Sequence, residues 1–239
     1  MNSETADAFG DGIHLPPTPT LPVDGRSEPF PVGRIWCVGR NYAAHAREMD
    51  AEAPPAPPFF FLKPASALVP PGGTVRYPPE TGELHHEVEL VVALGRSGWN
   101  VPPDEAEHLV FAYGVGLDLT RRDAQARAKR DGKPWALAKG FDGSAPCSAL
   151  APTARIGHPC RGRIELSVGG EVRQQGDLSD QVWPVSDVLA HLSRIVELQP
   201  GDLLFTGTPA GVGPLRPGDR VEAAIEGVGR LAVRISPPR

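Results

Sequence analysis

Cysteine is scarce. Cys37, Cys147 and Cys160 are the only three in 239 residues, an odd number without a Cys-x-x-Cys pair. That argues against a disulfide framework and against a zinc-thiolate centre, and a reducing cytoplasm is the expected compartment. No uninterrupted apolar run reaches the roughly 18 residues of a membrane-spanning helix. The first residues carry Glu4 and Asp7 and no apolar stretch, so they do not read as a secretory signal. Basic residues are not in excess: 24 Lys and Arg stand against 29 Asp and Glu, a net charge of −5. Nucleic acid and anionic membrane surfaces are therefore not expected partners. What is abundant is chain punctuation, with 27 glycines and 28 prolines. Such a chain favours short strands and tight turns over long helices, and an α+β, mostly β fold is expected.

Residues 1–33 include Pro16, Pro17, Pro19, Pro22, Pro29 and Pro31 and read as a loosely attached, proline-rich arm. Residues 34–239 read as one catalytic domain. Arg34-Ile-Trp-Cys-Val-Gly39 is a buried-type strand, and Asn41 can cap a short helix through Met49. The prolines of segment 50–58 stop that helix, so 41–58 reads as a mobile lid. Phe59 to Leu62 reads as a strand ending in a turn at Lys63-Pro64. Gly169-Gly170 between two strand patterns is a hairpin signal. Val188, Leu189, Leu192, Ile195 and Val196 form a helical stripe. Trp36, Trp99, Trp135 and Trp183 are expected to pack in the core.

The clearest strand runs from His85 to Leu94, His-His-Glu-Val-Glu-Leu-Val-Val-Ala-Leu. Side chains alternate along a strand, so Glu87 and Glu89 share a face, roughly 7 Å apart at their Cα atoms. One account of them is a solvated face. The other starts from Val91 and Ala93, which follow Glu89 on that face, while Leu90, Val92 and Leu94 line the opposite one. Both faces then read as buried. Two buried carboxylates need a cation or a proton, and a hard divalent ion such as Mg²⁺, Mn²⁺ or Ca²⁺ would serve. Asp118, closing the apolar run 110–117, is either a third ligand or the N-cap of a helix over 119–130.

His45 and Glu48 stand at i, i+3 on one helix. They are either a carboxylate-oriented base for activating water or an exposed pair. Thr206-Gly-Thr-Pro-Ala-Gly-Val-Gly213 is a plain turn or an anion-binding loop. It matches neither the phosphate-loop nor the dinucleotide fingerprint. Lys139 reads as a carboxylate clamp or a solvated lysine, and Arg122 and Gln125, sharing a helix face, carry the same ambiguity.

The ordered set of motifs is more specific than any one of them. His-His-Glu-Val-Glu at 85–89, Gly-Leu-Asp-Leu-Thr-Arg-Arg-Asp at 116–123 and Pro-Trp-Ala-Leu-Ala-Lys-Gly-Phe-Asp at 134–142 resemble the fumarylacetoacetate hydrolase family. So do Gly170-Glu-Val-Arg-Gln174 and the glycine loop ending at Gly213. Val38-Gly-Arg-Asn-Tyr-Ala-Ala-His-Ala-Arg-Glu-Met49 is similar to the short branch that cleaves acylpyruvates. The resemblance spans roughly 32–236. It implies a mixed β-roll with peripheral short helices, usually a homodimer. It implies Glu87, Glu89 and Asp118 as ligands of Mg²⁺ or Mn²⁺, His45 and Glu48 as a water-activating dyad, and Arg122, Gln125, Lys139 and Thr208 as contacts to the substrate's carboxylate or oxyanion. Lys139 is then catalytic, as an oxyanion stabiliser. One departure is Leu178-Ser179, where many members have Thr-Ser. The implied reaction is hydrolysis of a C–C bond in a 3-acylpyruvate, with fumarylpyruvate of aromatic catabolism as the favoured small-molecule substrate. Oxaloacetate decarboxylation and hydroxymuconate-type isomerisation share the same enolate. A reading of a different class is a non-catalytic, metal-holding β module.

Overall fold

A computed structural model describes residues 16–48 and 57–238. Two sheets face each other. The first has six strands, in the order Ala151–Pro152, Val110–Leu117, Val88–Leu94, Leu203–Phe205, Ile35–Gly39 and Phe59–Lys63. The second has five, in the order Glu171–Asp177, Arg163–Val168, Arg220–Ile225, Gly229–Ser236 and Thr74–Arg76. Most pairings are antiparallel, but Leu203–Phe205 runs parallel to Ile35–Gly39 and Gly229–Ser236 parallel to Thr74–Arg76. This is the mixed, mostly β roll expected, with short helices at its edges.

The alternation read from Val88–Leu94 is borne out: all seven residues are buried. Leu90, Val92 and Leu94 join Val115, Ile164, Leu166 and Val221 in the core between the sheets. Val91 and Ala93 face a second core with Ile35, Cys37, Leu203 and Phe205.

That second core corrects the expected arm. Leu21 and Val32 are 0% and 1% exposed, and with Val23 and Phe30 they close its outer side. Thr20–Leu21 pairs with Phe30–Pro31, Val32 N donates to Pro19 O, and Leu150 N donates to Pro22 O. Prolines set the extended backbone, but the alternate residues are apolar and have a sheet face to cover. Burial of each contributes about 1.5–3 kcal/mol. Residues 16–33 are thus part of the fold, while 1–15 lie outside the described residues.

Trp99 is 62% exposed rather than packed, because it projects from a surface turn beyond Gly98, whose backbone pairs with Leu198. The helical stripe is shorter than its pattern. The helix is Val185–Ser193, and Ile195 lies beyond it at 64% exposure. The 169–170 hairpin is present, both glycines having positive φ. At the departure in the family pattern, Leu178 is buried and Ser179 donates to Asp177 through both its backbone N–H and its hydroxyl.

Candidate active site

The strand read over His85–Leu94 is in fact two. Leu84–His86 belongs to a small sheet with Thr120–Arg121 and Gly213–Leu215, and Val88–Leu94 to the six-stranded one. The chain changes sheet at Glu87. Gln174 holds the joint: its Oε1 accepts from Val88 N at 3.1 Å and contacts His86 Nδ1 at 2.8 Å, and its Nε2 donates to Thr208 Oγ1 at 2.8 Å. Asp118 is tied to the same break through its N–H to Glu87 O. It is not a helix cap. The following residues are taken by the Thr120–Arg121 strand, and the helix starts only at Arg122, with no side-chain cap.

These constraints bring Glu87, Glu89 and Asp118 together, with one carboxylate oxygen of each within 4.8 Å of the others, all three buried. Three cations surround them. Lys139 Nζ donates to Asp118 Oδ2 at 2.6 Å and to Glu87 Oε2 at 2.9 Å. Arg122 pairs with Glu87 Oε1 and bonds Gln125 Oε1 at 2.7 Å. Lys63 Nζ lies 2.8 Å from Asp118 Oδ1 and also donates to the Lys139 and Leu119 carbonyls. Lys63 was missed from sequence. It is the last residue of the Phe59–Lys63 strand and not part of a turn. A lysine ending an apolar strand, with its side chain on the inward alternation, was the available signal.

Electrostatics separates the two glutamates. Burial opposes charge on Glu87, but Lys139 and Arg122 outweigh it and hold its carboxyl well below the usual range. Glu89 has no cation partner among the described residues, only the Gly207 N–H at 2.7 Å. Burial, then Asp118 and Glu87, push it well above the usual range. Burial also works against the charge on Lys139, yet Asp118 and Glu87 raise its pKa. The donor set suits a hard divalent ion: all oxygen, with Glu89 lacking a cation. In addition, Asp118 Oδ1 is buried with no hydrogen bond among the described residues, Lys63 pairing with it by charge but out of line.

His45 is 8% exposed and lines the same cavity as the triad, while its partner Glu48 lies on the solvent side of it. Its Nδ1 meets Glu48 Oε2 at 3.1 Å. Glu48 accepts in turn from Gly211 N at 3.0 Å. The backbone N–H groups of the glycine loop therefore do serve carboxyl groups, but these are the protein's own Glu48 and Glu89. Asn41 does not cap the short helix, which is Ala43–Glu48. Its side chain bonds Trp183 O, Thr206 O and Trp183 N at 2.8–2.9 Å, pinning the helix entrance to the loop. Of the expected lid, residues 41–48 are docked this way and 49–56 lie outside the described residues. Thr208, Arg122, Gln125 and Lys139 all line the cavity with the triad and His45.

A strand-rich roll with buried carboxylates converging at a sheet break is the architecture of a known enzyme class. The chain belongs to the fumarylacetoacetate hydrolase family: residues 34–236 match the family described as fumarylacetoacetate (FAA) hydrolase C-terminal. It is similar to the fumarylpyruvate hydrolase of Pseudomonas aeruginosa, solved in complex with Mn²⁺ and pyruvate. The two are 48% identical with a TM-score of 0.91, over 95% of this chain and 99% of that one. It is 40% identical to the mitochondrial oxaloacetate tautomerase of Homo sapiens, over 87% of this chain and 97% of that protein. A 5-carboxymethyl-2-hydroxymuconate delta-isomerase from Mycobacterium smegmatis is 33% identical, with a TM-score of 0.78, over 88% of this chain and 81% of that one. Among the described residues no helix is long and apolar enough to cross a membrane.

Proposed function

We propose that the protein hydrolyses the C–C bond of a 3-acylpyruvate, fumarylpyruvate giving fumarate and pyruvate, with Mg²⁺ or Mn²⁺ held by Glu87, Glu89 and Asp118. The observation that carries this reading is His45, in one cavity with the triad and backed from outside it by Glu48 at 3.1 Å. Decarboxylation of oxaloacetate needs no such base, whereas hydrolysis needs water deprotonated. The similarity to a fumarylpyruvate hydrolase solved with Mn²⁺ and pyruvate supports it.

A divalent ion at the triad supplies Lewis-acid stabilisation of developing enolate charge. The rest falls to the chain's own residues. With its Nδ1–H given to Glu48, His45 keeps the Nε2 lone pair and takes a proton from water. The hydroxide adds to the distal carbonyl carbon, and Lys139 or Gln125 stabilises the resulting oxyanion. The bond between that carbon and the methylene breaks, its electrons staying on the methylene, and pyruvate departs as its enolate. The proton on His45 then passes to the enolate carbon. Arg122 and Thr208 orient the substrate's carboxylate; the Thr208 hydroxyl accepts from Gln174 and so is free to donate into the cavity.

Tautomerisation or decarboxylation of oxaloacetate is the second reading, favoured by the curated relative of that name. Both can be followed by loss of enol absorbance with fumarylpyruvate, acetylpyruvate and oxaloacetate side by side. We expect His45→Ala to lower acylpyruvate hydrolysis by roughly 10²–10⁴-fold and to spare oxaloacetate decarboxylation far more. Equal acylpyruvate rates in the variant and the wild type would refute the hydrolytic assignment. In the same framework the protein is expected to act as a cytoplasmic homodimer.

A further inference from the structure

The mouth of the cavity carries two cations that the mechanism above does not use, Arg40 and Lys129. They are linked through aromatic rings. The Arg40 guanidinium lies 5.8 Å from the centroid of Phe59, Phe59 meets Trp135 edge-on at 5.1 Å, and Lys129 Nζ lies 5.3 Å from Trp135. Each charged head is thus held against a ring face at one end of an aromatic pair. Neither makes an ion pair among the described residues. Burial, and then Arg122 and Arg40, lower the pKa of Lys129, so positive potential there is not cancelled. Arg40 also holds a left-handed backbone at φ 61°, strained for a side chain of its size.

Spacing adds a length. Arg122, Gln125 and Lys129 all line the cavity from the Arg122–Arg130 helix. Seven residues at 1.5 Å of rise separate Arg122, beside the triad, from Lys129 by about 10 Å along the axis. A ligand touching both ends would have two anionic groups set well apart. Oxaloacetate, with a single carbonyl and a single methylene between its carboxylates, is short for that span. The wall between the ends is flat and aromatic, suited to a planar conjugated chain.

We infer that Arg40 and Lys129 form a second anion subsite for the far carboxylate of a planar, unsaturated arm, with Phe59 and Trp135 as its walls. The substrate class is then an acylpyruvate with a carboxylate at each end. This rests on the acylpyruvate reading and names what selects the acyl group.

The test compares Arg40→Met and Lys129→Met with the wild type, each loaded with Mn²⁺. We expect KM for fumarylpyruvate to rise about tenfold per variant, the worth of one charge-assisted hydrogen bond, and KM for acetylpyruvate to change much less. Equal losses on the two substrates would overturn the subsite. Calorimetry separates it from the reaction itself. With pyruvate present, fumarate should bind the wild type more tightly than crotonate, which has a methyl in place of one carboxylate, and both variants should erase that preference. If they erase it although no acylpyruvate is cleaved, the subsite stands and the hydrolytic reading falls. If the variants keep the preference, the subsite is wrong.

Discussion

Gly211 donates its backbone N–H to Glu48, 3.0 Å from Oε1 and 3.2 Å from Oε2. That contact ties the glycine loop to the helix that carries His45, and through Gly207 the same loop holds Glu89. One loop therefore holds the partner of the proposed base and a metal-ligand candidate together. Gly211 has φ +95°, and a Cβ there would sit 2.2 Å from the Arg173 carbonyl oxygen. Gly211→Ala must displace the loop. We expect a fall in kcat of about 10- to 100-fold, since a misplacement of roughly 1 Å costs this much. Metal binding, measured by calorimetry, should persist, because Glu87, Glu89 and Asp118 are carried by strands and strand ends and not by the loop. A folded variant with wild-type kcat would show that the Glu48 tether is dispensable.

Chelation should remove turnover without unfolding the protein. Lys139 and Lys63 already lie against Asp118, and Lys139 and Arg122 against Glu87, so the site stays largely compensated without an ion. Adding Mn²⁺ to about 100 times its Kd should stabilise the fold by about 2.7 kcal/mol. Glu89→Gln should remove most of that gain, read as the shift in Tm with and without Mn²⁺. An undiminished shift in the variant would exclude Glu89 as a ligand.

Asp123 fastens the start of the helix that bears Arg122, Gln125 and Lys129. Its carboxylate accepts from Thr81 Oγ1 at 2.6 Å, from Ala124 N at 2.7 Å and from Gly82 N at 3.4 Å. Partial burial pushes its carboxyl up, but these bonds outweigh that and hold it below its ordinary value. A group with a depressed folded pKa adds stability above its unfolded pKa, and loses it as pH falls through the folded one. Asp123→Asn should therefore cost about 1 kcal/mol at pH 7. The gap between variant and wild type should close as pH falls through the lowered folded pKa, as measured by denaturant unfolding. A gap that is constant with pH would mean the carboxylate charge is irrelevant.

Only Cys160 should react with a thiol reagent in the native protein. It is exposed, whereas Cys37 and Cys147 are buried. Burial pushes the Cys147 thiol up to about 12 and raises that of Cys37 well above its ordinary value, so neither offers thiolate near neutrality. One fast equivalent in native protein and three after denaturation is the expected count from the three cysteines. Rapid native modification of Cys37 would show that the second core opens readily.

The residue pattern alone determined the β-rich class, because glycines and prolines limit element length and strand alternation is local. It also determined that Glu87 and Glu89 share a face that is apolar further along. Tertiary structure decided what local patterns do not encode. Lys63 meets Asp118 across 55 positions of chain, and Gly211 meets Glu48 across 163. No periodicity reports such pairings, because they arise from which strands become neighbours. The break at Glu87 is of the same kind: Gln174 from another sheet takes up the strand's bonding there. Residues 16–33 looked detachable because proline content speaks only of backbone conformation. Whether Leu21 and Val32 are buried depends on a sheet face left uncovered elsewhere, and that face exists only once the six strands have assembled.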